Sequence, residues 1–390
     1  HYSDNTIYGF SHTHLSGTGC SDYGDIAFMP FFEKNNFKIP ISDMLKKGVK
    51  FSHENETSKA GYYAVMMDNG VKVELTTTLR AGIQRYTFSE SGNAKIILNL
   101  KHRDELLDGK IKELDLLSYY GKRVSKAWAE RQELYFYFTI SKLPTKNEII
   151  KGDKGDELLV LDYQVKKGEE ILIKTGISGV DEAGAINNLD KEITSYDFGR
   201  YKINANAIWN AEMTKIMAYG GTKKEKVNFY TALYHCMIHP SIFNDIDNRY
   251  RGRDGNIYNT KEEFNYYTVF SLWDTYRALH PLLTVIDIKR TNDFIHSMIM
   301  QHEHAGKLPI WELWGNETNC MIGYHAVSVI WDAYNKGIRS YHAGKAFKAM
   351  LAIANDSTNV GLNSYRKYGY VRAEDDAESV SKTLEYAYDD

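Results

Sequence analysis

Phe270-Ser-Leu-Trp-Asp-Thr-Tyr-Arg277 is the stretch from which the rest of the chain is read. Its spacing predicts a helix from about Asn265 to Leu283. Leu272, Tyr276, Leu279 and Leu283 fall on one apolar stripe, while Phe270, Trp273, Asp274 and Arg277 share the neighbouring face. An indole beside a carboxylate and a guanidinium suits a sugar: the ring covers the C–H face of a pyranose, and the charged groups accept from and donate to its hydroxyls. The same residues also suit an aromatic core helix with an internal Asp–Arg pair.

The 390 residues allow two or three domains at the usual ~150 residues each. Lys and Arg total 48 against 51 Asp and Glu, a balance that argues against nucleic acid or an anionic membrane as the main partner. Cys20, Cys236 and Cys320 are too few and too scattered for a disulfide framework or a Cys-rich zinc site. No apolar run approaches the ~20 residues that span a bilayer. The chain begins at His1 rather than Met and shows no secretory leader. At the other end Val380, Leu384 and Ala387 start an apolar helical stripe after a Ser379 cap, but the sequence stops at Asp389-Asp390 without a closing residue. Both ends are expected to be those of a fragment.

Up to about Ser178 the pattern is β. Val71, Val73 and Leu75 alternate with Lys72, Glu74 and Thr76, and Gln84-Arg-Tyr-Thr-Phe88 follows across Ala81-Gly82 as a hairpin. Further strands fit Ala94–Leu100, Glu133–Ser141, Leu158–Tyr163 and Glu170–Ile177, with Lys167-Gly168 as a turn before the last. Many short alternating strands predict two packed antiparallel sheets. The period then changes. Ala183, Ile186, Leu189 and Ile193 suit one helix, and Ile203, Ala207, Trp209, Met213 and Ile216 a second, before Gly220-Gly221. From about Lys223 the chain reads as helices over Glu225–Ile238, Asn265–Leu283, Asn292–His302, Cys320–Tyr334, Tyr341–Ala354 and Ser379–Asp390. Cys320, Tyr324, Val327 and Trp331 form the cleanest stripe. The expected division is a β-sandwich over 1–180, a helical linker over 181–222 and a helical domain over 223–390.

Several blocks occur together in order: Gly9-Phe-Ser-His-Thr-His-Leu-Ser-Gly-Thr-Gly-Cys20, Gly61-Tyr-Tyr63, Val73-Glu-Leu-Thr-Thr77, Tyr230-Thr-Ala-Leu-Tyr-His235, Ser271-Leu-Trp-Asp-Thr-Tyr-Arg277, Leu308-Pro-Ile-Trp311, Gly315-Asn-Glu-Thr318 and Met321-Ile-Gly-Tyr-His325. The combination resembles glycoside hydrolase family 92. That resemblance implies a calcium-dependent, exo-acting, inverting α-mannosidase. It also implies an N-terminal antiparallel β-sandwich, a helical linker and part of a C-terminal (α/α)6 barrel. Trp273 and Asp274 match the family's Trp-Asp pair, a wall and a hydroxyl-binding carboxylate of the terminal-mannose subsite. Gly19 and Cys20 match the sandwich loop that completes that pocket, and the bland reading of Gly17-Thr-Gly19 is an ordinary tight turn.

The departures matter as much. The family's general acid lies in a Glu-Gly-Asn-x-x-Trp-Gln block, its calcium ligands in a later Gly-Asn-Glu-Pro region and its base in an acidic segment after that. None is matched here, so the acid, the base and the Ca2+ ligands are all expected beyond Asp390. Within the chain Glu317, Glu312 and Asp274 are the acidic candidates. Glu317 is expected at the substrate or as an organiser of its own loop, Glu312 as contact or buried support, and Asp274 on a hydroxyl. Trp273, Asp274, Gly19, Cys20, Glu317 and Arg277 are therefore the expected substrate-binding set, for an α-mannoside glycan.

His302-Glu-His304 does not put both imidazoles on one helix face, and His12-Thr-His14 pairs only in a strand, so both read as structural or solvated. Asp245, Asp247 and Asp254 with Asn244, Asn248 and Gly255 lack EF-hand spacing and read as turn formers. Asn55-Glu-Thr57 is an acceptor sequon only in a eukaryotic secretory setting. The resemblance implies a periplasmic, cell-surface or secreted bacterial protein. Two rivals stay open: a non-catalytic glycan-binding protein, and another (α/α)-barrel carbohydrate enzyme of trehalase or phosphorylase type.

Overall fold

The computed structural model describes residues 3–152 and 156–390, so His1 and Tyr2, at the head of the expected β-sandwich, lie outside the described residues. The chain divides into two compact units, His1–Thr214 with Asp245–Asp247, and Lys215–Asn244 with Asn248–Asp390.

In the first unit the described residues form a nine-stranded and a four-stranded antiparallel sheet. The larger runs, in spatial order, Thr6–Ile7, Val49–Lys59, Tyr62–Met67, Val71–Thr77, Ala81–Phe88, Glu170–Ser178, Gln132–Ile140, Ser118–Lys126 and Glu105–Asp115. The smaller runs Lys146–Ile150, Leu158–Val165, Gly92–Asn99 and Ala27–Glu33. The sheets meet face to face, Phe28 of one edge-on to Phe138 of the other with ring centroids 5.0 Å apart. A short helix, α1 (Ile41–Lys47), precedes the second strand of the large sheet.

Two details differ from the sequence reading. The hairpin turn lies at Thr78–Arg80, closed by Thr78 N–H on Ala81 O at 2.8 Å. Ala81 and Gly82 are inside the strand, paired with Gly176 and Thr175. Glu192 fixes that turn, accepting from Arg80 N at 2.8 Å and from its guanidinium at 2.9 Å. The polar side of the Val71 strand is also not solvated, since Glu74 and Thr76 are buried. Helices α2 (Glu182–Glu192) and α3 (Phe198–Met213) cover that face of the sheet, so its polar groups pair internally. Glu74 accepts from Tyr62 at 2.6 Å and from Arg85 at 3.0 Å, and Thr76 donates to Gly61 O at 2.7 Å.

Asp245 is a buried tie rather than a surface turn former. It accepts from Ser178 Oγ at 2.6 Å and Asn188 Nδ2 at 2.8 Å, in space left by the absent side chain of Gly184. The sandwich interior holds one buried cation, Arg123, paired with Asp25 and Asp104.

In the second unit the helices are α4 (Lys223–Cys236), α5 (Leu272–Thr275), α6 (Leu279–Ile286), α7 (Ile288–Ala305), α8 (Ala326–Asn335), α9 (Ala343–Ala354), α10 (Leu362–Tyr368) and α11 (Ser379–Asp389). Local chemistry sets their ends. Thr222 and Glu225 form a reciprocal capping box on α4, Asp287 accepts from Arg290 N to start α7, and left-handed Gly306 stops it. Leu272, Tyr276, Leu283, Phe294, Met298 and Ile330 belong to one core that α6, α7 and α8 share.

The single helix expected over Asn265–Leu283 does not form. Phe270 and Ser271 pair as a strand with Glu312 and Trp311, Val269 takes φ 67°, and only one turn, α5, follows before the chain restarts as α6. Pro281 explains the restart: inside a continuous helix its ring would meet the carbonyl four residues back, whereas in the first turn of α6 its missing N–H costs nothing. The predicted stripe is nevertheless inside, with Leu272, Tyr276 and Leu283 buried.

The helix expected from Cys320 begins only at Ala326. Asn319, Met321 and Gly323 hold positive φ, and Trp331, read as part of the buried stripe, is 55% exposed. On α11 the apolar face is outside, Val380 73% and Leu384 67% exposed, while Glu385, Tyr386 and Asp389 are buried.

Replacing Asp25 with Ala should leave Thr13 and Gln132 without this acceptor and remove from buried Arg123 one of its two carboxylate partners. Urea denaturation should then show a loss of about 3–5 kcal/mol. A loss below about 1 kcal/mol would contradict the buried-ion account.

Candidate functional site

The site is built from the one-turn helix α5, the turn after it, the segment leading into α8, and the last turns of α11. A four-residue helix has little stability of its own, so its side chains need outside anchors. Glu385 of α11 supplies them. Its Oε1 accepts from Arg277 Nη2 at 2.6 Å and from Trp273 Nε1 at 3.3 Å, and its Oε2 accepts from the Tyr276 hydroxyl at 2.6 Å. Arg277 Nε in turn donates to that hydroxyl at 2.5 Å. His325 lies flat on the Tyr276 ring, centroids 3.8 Å apart and planes 7° apart. Its Nδ1 donates to Asp389 at 2.9 Å, and its Nε2 faces Glu385 Oε2 at 3.6 Å. Asp389 also accepts from Tyr324 N at 2.8 Å and Ser328 Oγ at 2.7 Å.

Burial alone would raise the Glu385 carboxyl. The Tyr276 hydroxyl, the Arg277 guanidinium and the His325 ring outweigh it and hold the group below the ordinary carboxylate range. Tyr276 is pushed the other way, upward, by burial and by that same carboxylate. The cluster is therefore a fixed anion with cationic and hydroxyl donors around it. Its outward parts are polar: Asp274 is exposed and accepts from Ser271 Oγ, Trp273 is half-buried, and the Arg277 side chain is 59% exposed.

Glu317 and Glu312 organise the neighbouring loop. Glu317 accepts from Ile310 N at 2.9 Å, Trp311 N at 2.8 Å and Asn319 N at 2.9 Å, with Arg253 beside it at 3.6 Å. Glu312 is fully buried and accepts from Thr268 Oγ1 at 2.9 Å, Val269 N at 3.1 Å and Gly315 N at 2.6 Å. Burial pushes its carboxyl up to about 7 against those donors. It is buried support, without access to a ligand.

Of the expected substrate-binding residues, Trp273, Asp274 and Arg277 come together on α5 and its following turn, and Glu317 lies in the short strand Asn316–Glu317, paired with Glu312 of the strand Trp311–Leu313. Gly19 and Cys20 belong to the first unit. Gly19 is exposed, Cys20 Sγ is 3.0 Å from Thr18 Oγ1, and Arg103 donates to Cys20 O at 3.0 Å. Glu385, Asp389, His325 and Tyr276 were missed by the sequence reading. The available signals were the i, i+4 spacing of Glu385 and Asp389 and the His at the end of Met321-Ile-Gly-Tyr-His325.

His12 and His304 are both packed against protein. His12 Nδ1 is 2.8 Å from Ile26 O, and the His304 ring stacks on Tyr258 with centroids 4.0 Å apart. Among the described residues no three His, Cys, Asp or Glu side chains converge to hold a metal ion. The clustered carboxylates Glu385 and Asp389 already have protein donors on their oxygens, so the residues present do not fit the calcium that the resemblance implies.

The chain thus has a two-sheet unit followed in sequence by a helical unit that carries an aromatic, charged cluster, and comparison gives its class. The model of the Glycosyl hydrolase family 92 N-terminal domain matches residues 1–178, and that of the Glycosyl hydrolase family 92 catalytic domain matches residues 184–390. The chain belongs to glycoside hydrolase family 92.

A family GH92 α-mannosidase of Bacteroides thetaiotaomicron is similar at TM-score 0.92 and 36% identity, over 100% of this chain and 55% of that one. That enzyme is also known in complex with mannoimidazole. A family GH92 inverting mannosidase of Bacteroides thetaiotaomicron VPI-5482 gives TM-score 0.89 and 27% identity, over 100% and 54%. An uncharacterized secreted glycosidase of Arthroderma benhamiae is 23% identical over 98% of this chain and 52% of its own length. The chain thus spans about half the length of these relatives. Among the described residues no helix is long and apolar enough to cross a membrane.

Because the folded Glu312 carboxyl titrates at about 7, above its ordinary 4.5, its contribution to stability is complete below pH ~4.5 and lost as pH rises through ~7. The loss is on the order of 3 kcal/mol. Urea midpoints of wild type and Glu312→Gln, measured from pH 5 to 8, should show this fall in the wild type and a flatter profile in the variant. Parallel profiles would contradict it.

Proposed function

We propose that this chain is the terminal-mannose-holding part of an exo-acting, inverting α-mannosidase that acts on α-mannosides such as N-glycans or mannans. In this reading residues 1–180 are a β-sandwich domain, 181–222 a helical linker and 223–390 part of an (α/α)6 barrel. Trp273 is the wall on which the pyranose lies, Asp274 and Arg277 meet its hydroxyls, and Glu317 serves by holding the loop beside them; Gly19 and Cys20 are the sandwich-loop members of the proposed substrate-binding set. The observation that carries it is a half-buried indole, held by its N–H, on the same helical turn as exposed Asp274 and one turn from exposed Arg277.

An inverting glycosidase needs a carboxylic acid and a carboxylate ~6.5–9.5 Å apart, with room for water. Glu312, Glu317, Glu385 and Asp389 are each engaged by protein donors, so the reading assigns acid and base to none of these residues. The similarity to an uncharacterized secreted glycosidase supports an exported protein.

The test is calorimetric titration of the 390-residue chain with methyl α-mannoside, with methyl α-glucoside as control. Binding of the mannoside, weakened about tenfold or more in Trp273→Ala, is expected; this corresponds to about 1.4 kcal/mol. Equal binding by wild type and variant would contradict the pocket assignment. An aryl α-mannoside mixed with the chain should release no mannose, and release above the buffer rate would overturn the assignment of the acid and base.

A further inference from the structure

We infer that Glu385 is a positioning residue: it fixes the angle of the Trp273 indole and the Arg277 guanidinium, and His325, held by Asp389, fixes Glu385. The inference rests on the reading of Trp273 and Arg277 as sugar contacts. Trp273 stands on a single helical turn whose neighbours on either side are not helical, so backbone packing alone defines its ring poorly. Its one polar atom is bound by a carboxylate 112 residues along the chain. That carboxylate is 9% exposed and meets donors from Trp273, Tyr276 and Arg277, with the His325 ring as a fourth neighbour. Three of the roughly four acceptor positions of a carboxylate are thus taken by donors of this site, and the His325 ring stands 3.6 Å from Oε2 without a hydrogen bond.

The support continues outward. His325 is stacked on Tyr276 and tied through Nδ1 to Asp389, which also binds the start of α8 through Tyr324 N and Ser328 Oγ. His325 Nε2 is buried and makes no hydrogen bond, its nearest charged partner being Glu385. Gly323 makes room for it: φ is +83°, and a Cβ there would lie 2.3 Å from that nitrogen. A cluster serving stability alone would be replaceable by apolar groups of similar volume. This one holds half-buried and exposed side chains at set angles.

The experiment uses the full chain labelled with 5-fluorotryptophan, the Trp273 resonance being identified by its loss in Trp273→Phe. Glu385→Gln should shift or split that resonance while leaving Trp209, in the first unit, unchanged. It should also weaken methyl α-mannoside binding about tenfold or more. His325→Phe keeps a ring on Tyr276 but removes both nitrogens, and it should move the Trp273 resonance in the same direction by less. This variant decides the matter if Glu385→Gln does not fold. An unchanged Trp273 resonance in a folded Glu385→Gln or His325→Phe protein overturns the inference. If the wild-type resonance ignores mannoside yet moves in Glu385→Gln, positioning stands and the mannoside reading falls.

Discussion

One buried carboxylate sets the geometry of the helical unit. Glu385 gathers an indole N–H from α5 and a phenol and a guanidinium from the turn that follows it, three outward or half-buried groups that the apolar stripe and the strand pairing before α5 do not orient. Charge-assisted bonds of this kind contribute roughly twice what neutral ones do, and they are directional. Leu272, Tyr276 and Leu283 bring the segment to the core, while Glu385 sets how its outward side chains are turned.

The same logic recurs through the molecule. Glu312 and Glu317 hold the loop beside the site by accepting backbone N–H groups, and Glu192 holds the Thr78–Arg80 turn. In the first unit Asp245 ties a strand end to α2. Irregular backbone in this chain is repeatedly stabilised by an acidic side chain from elsewhere in the sequence, the expected remedy where N–H groups have no ladder partner. Such contacts hold the segments between the helices of the second unit in fixed positions.

Much of the sandwich was legible. Alternation at Val71 and Val73 and the Lys167-Gly168 turn placed strands to within a few residues, because a period of two with turn glycines has few other readings. The covered second face was not legible, since Glu74 and Thr76 look solvated until α2 and α3 are seen above them. The Asn265–Leu283 misreading had a different cause. Aromatic and apolar residues at helical spacing suit one helix, but Pro281 stands inside it, and the pull of Glu312 on Thr268 and Val269 comes from a distant segment. Trp273, Asp274 and Arg277 were visible through the family motif, whereas Glu385 and Asp389 were not. The apolar stripe Val380, Leu384 and Ala387 points to a buried face of α11, whereas Val380 and Leu384 are exposed and Glu385 and Asp389 buried.

The central claim is that the Trp273 indole N–H is held by Glu385, and its hydrogen exchange tests this most directly. In a 15N-tryptophan-labelled chain, the Trp273 indole proton should exchange with solvent about tenfold or more slowly than that of the exposed Trp331. Exchange of the two at the same rate would contradict the account.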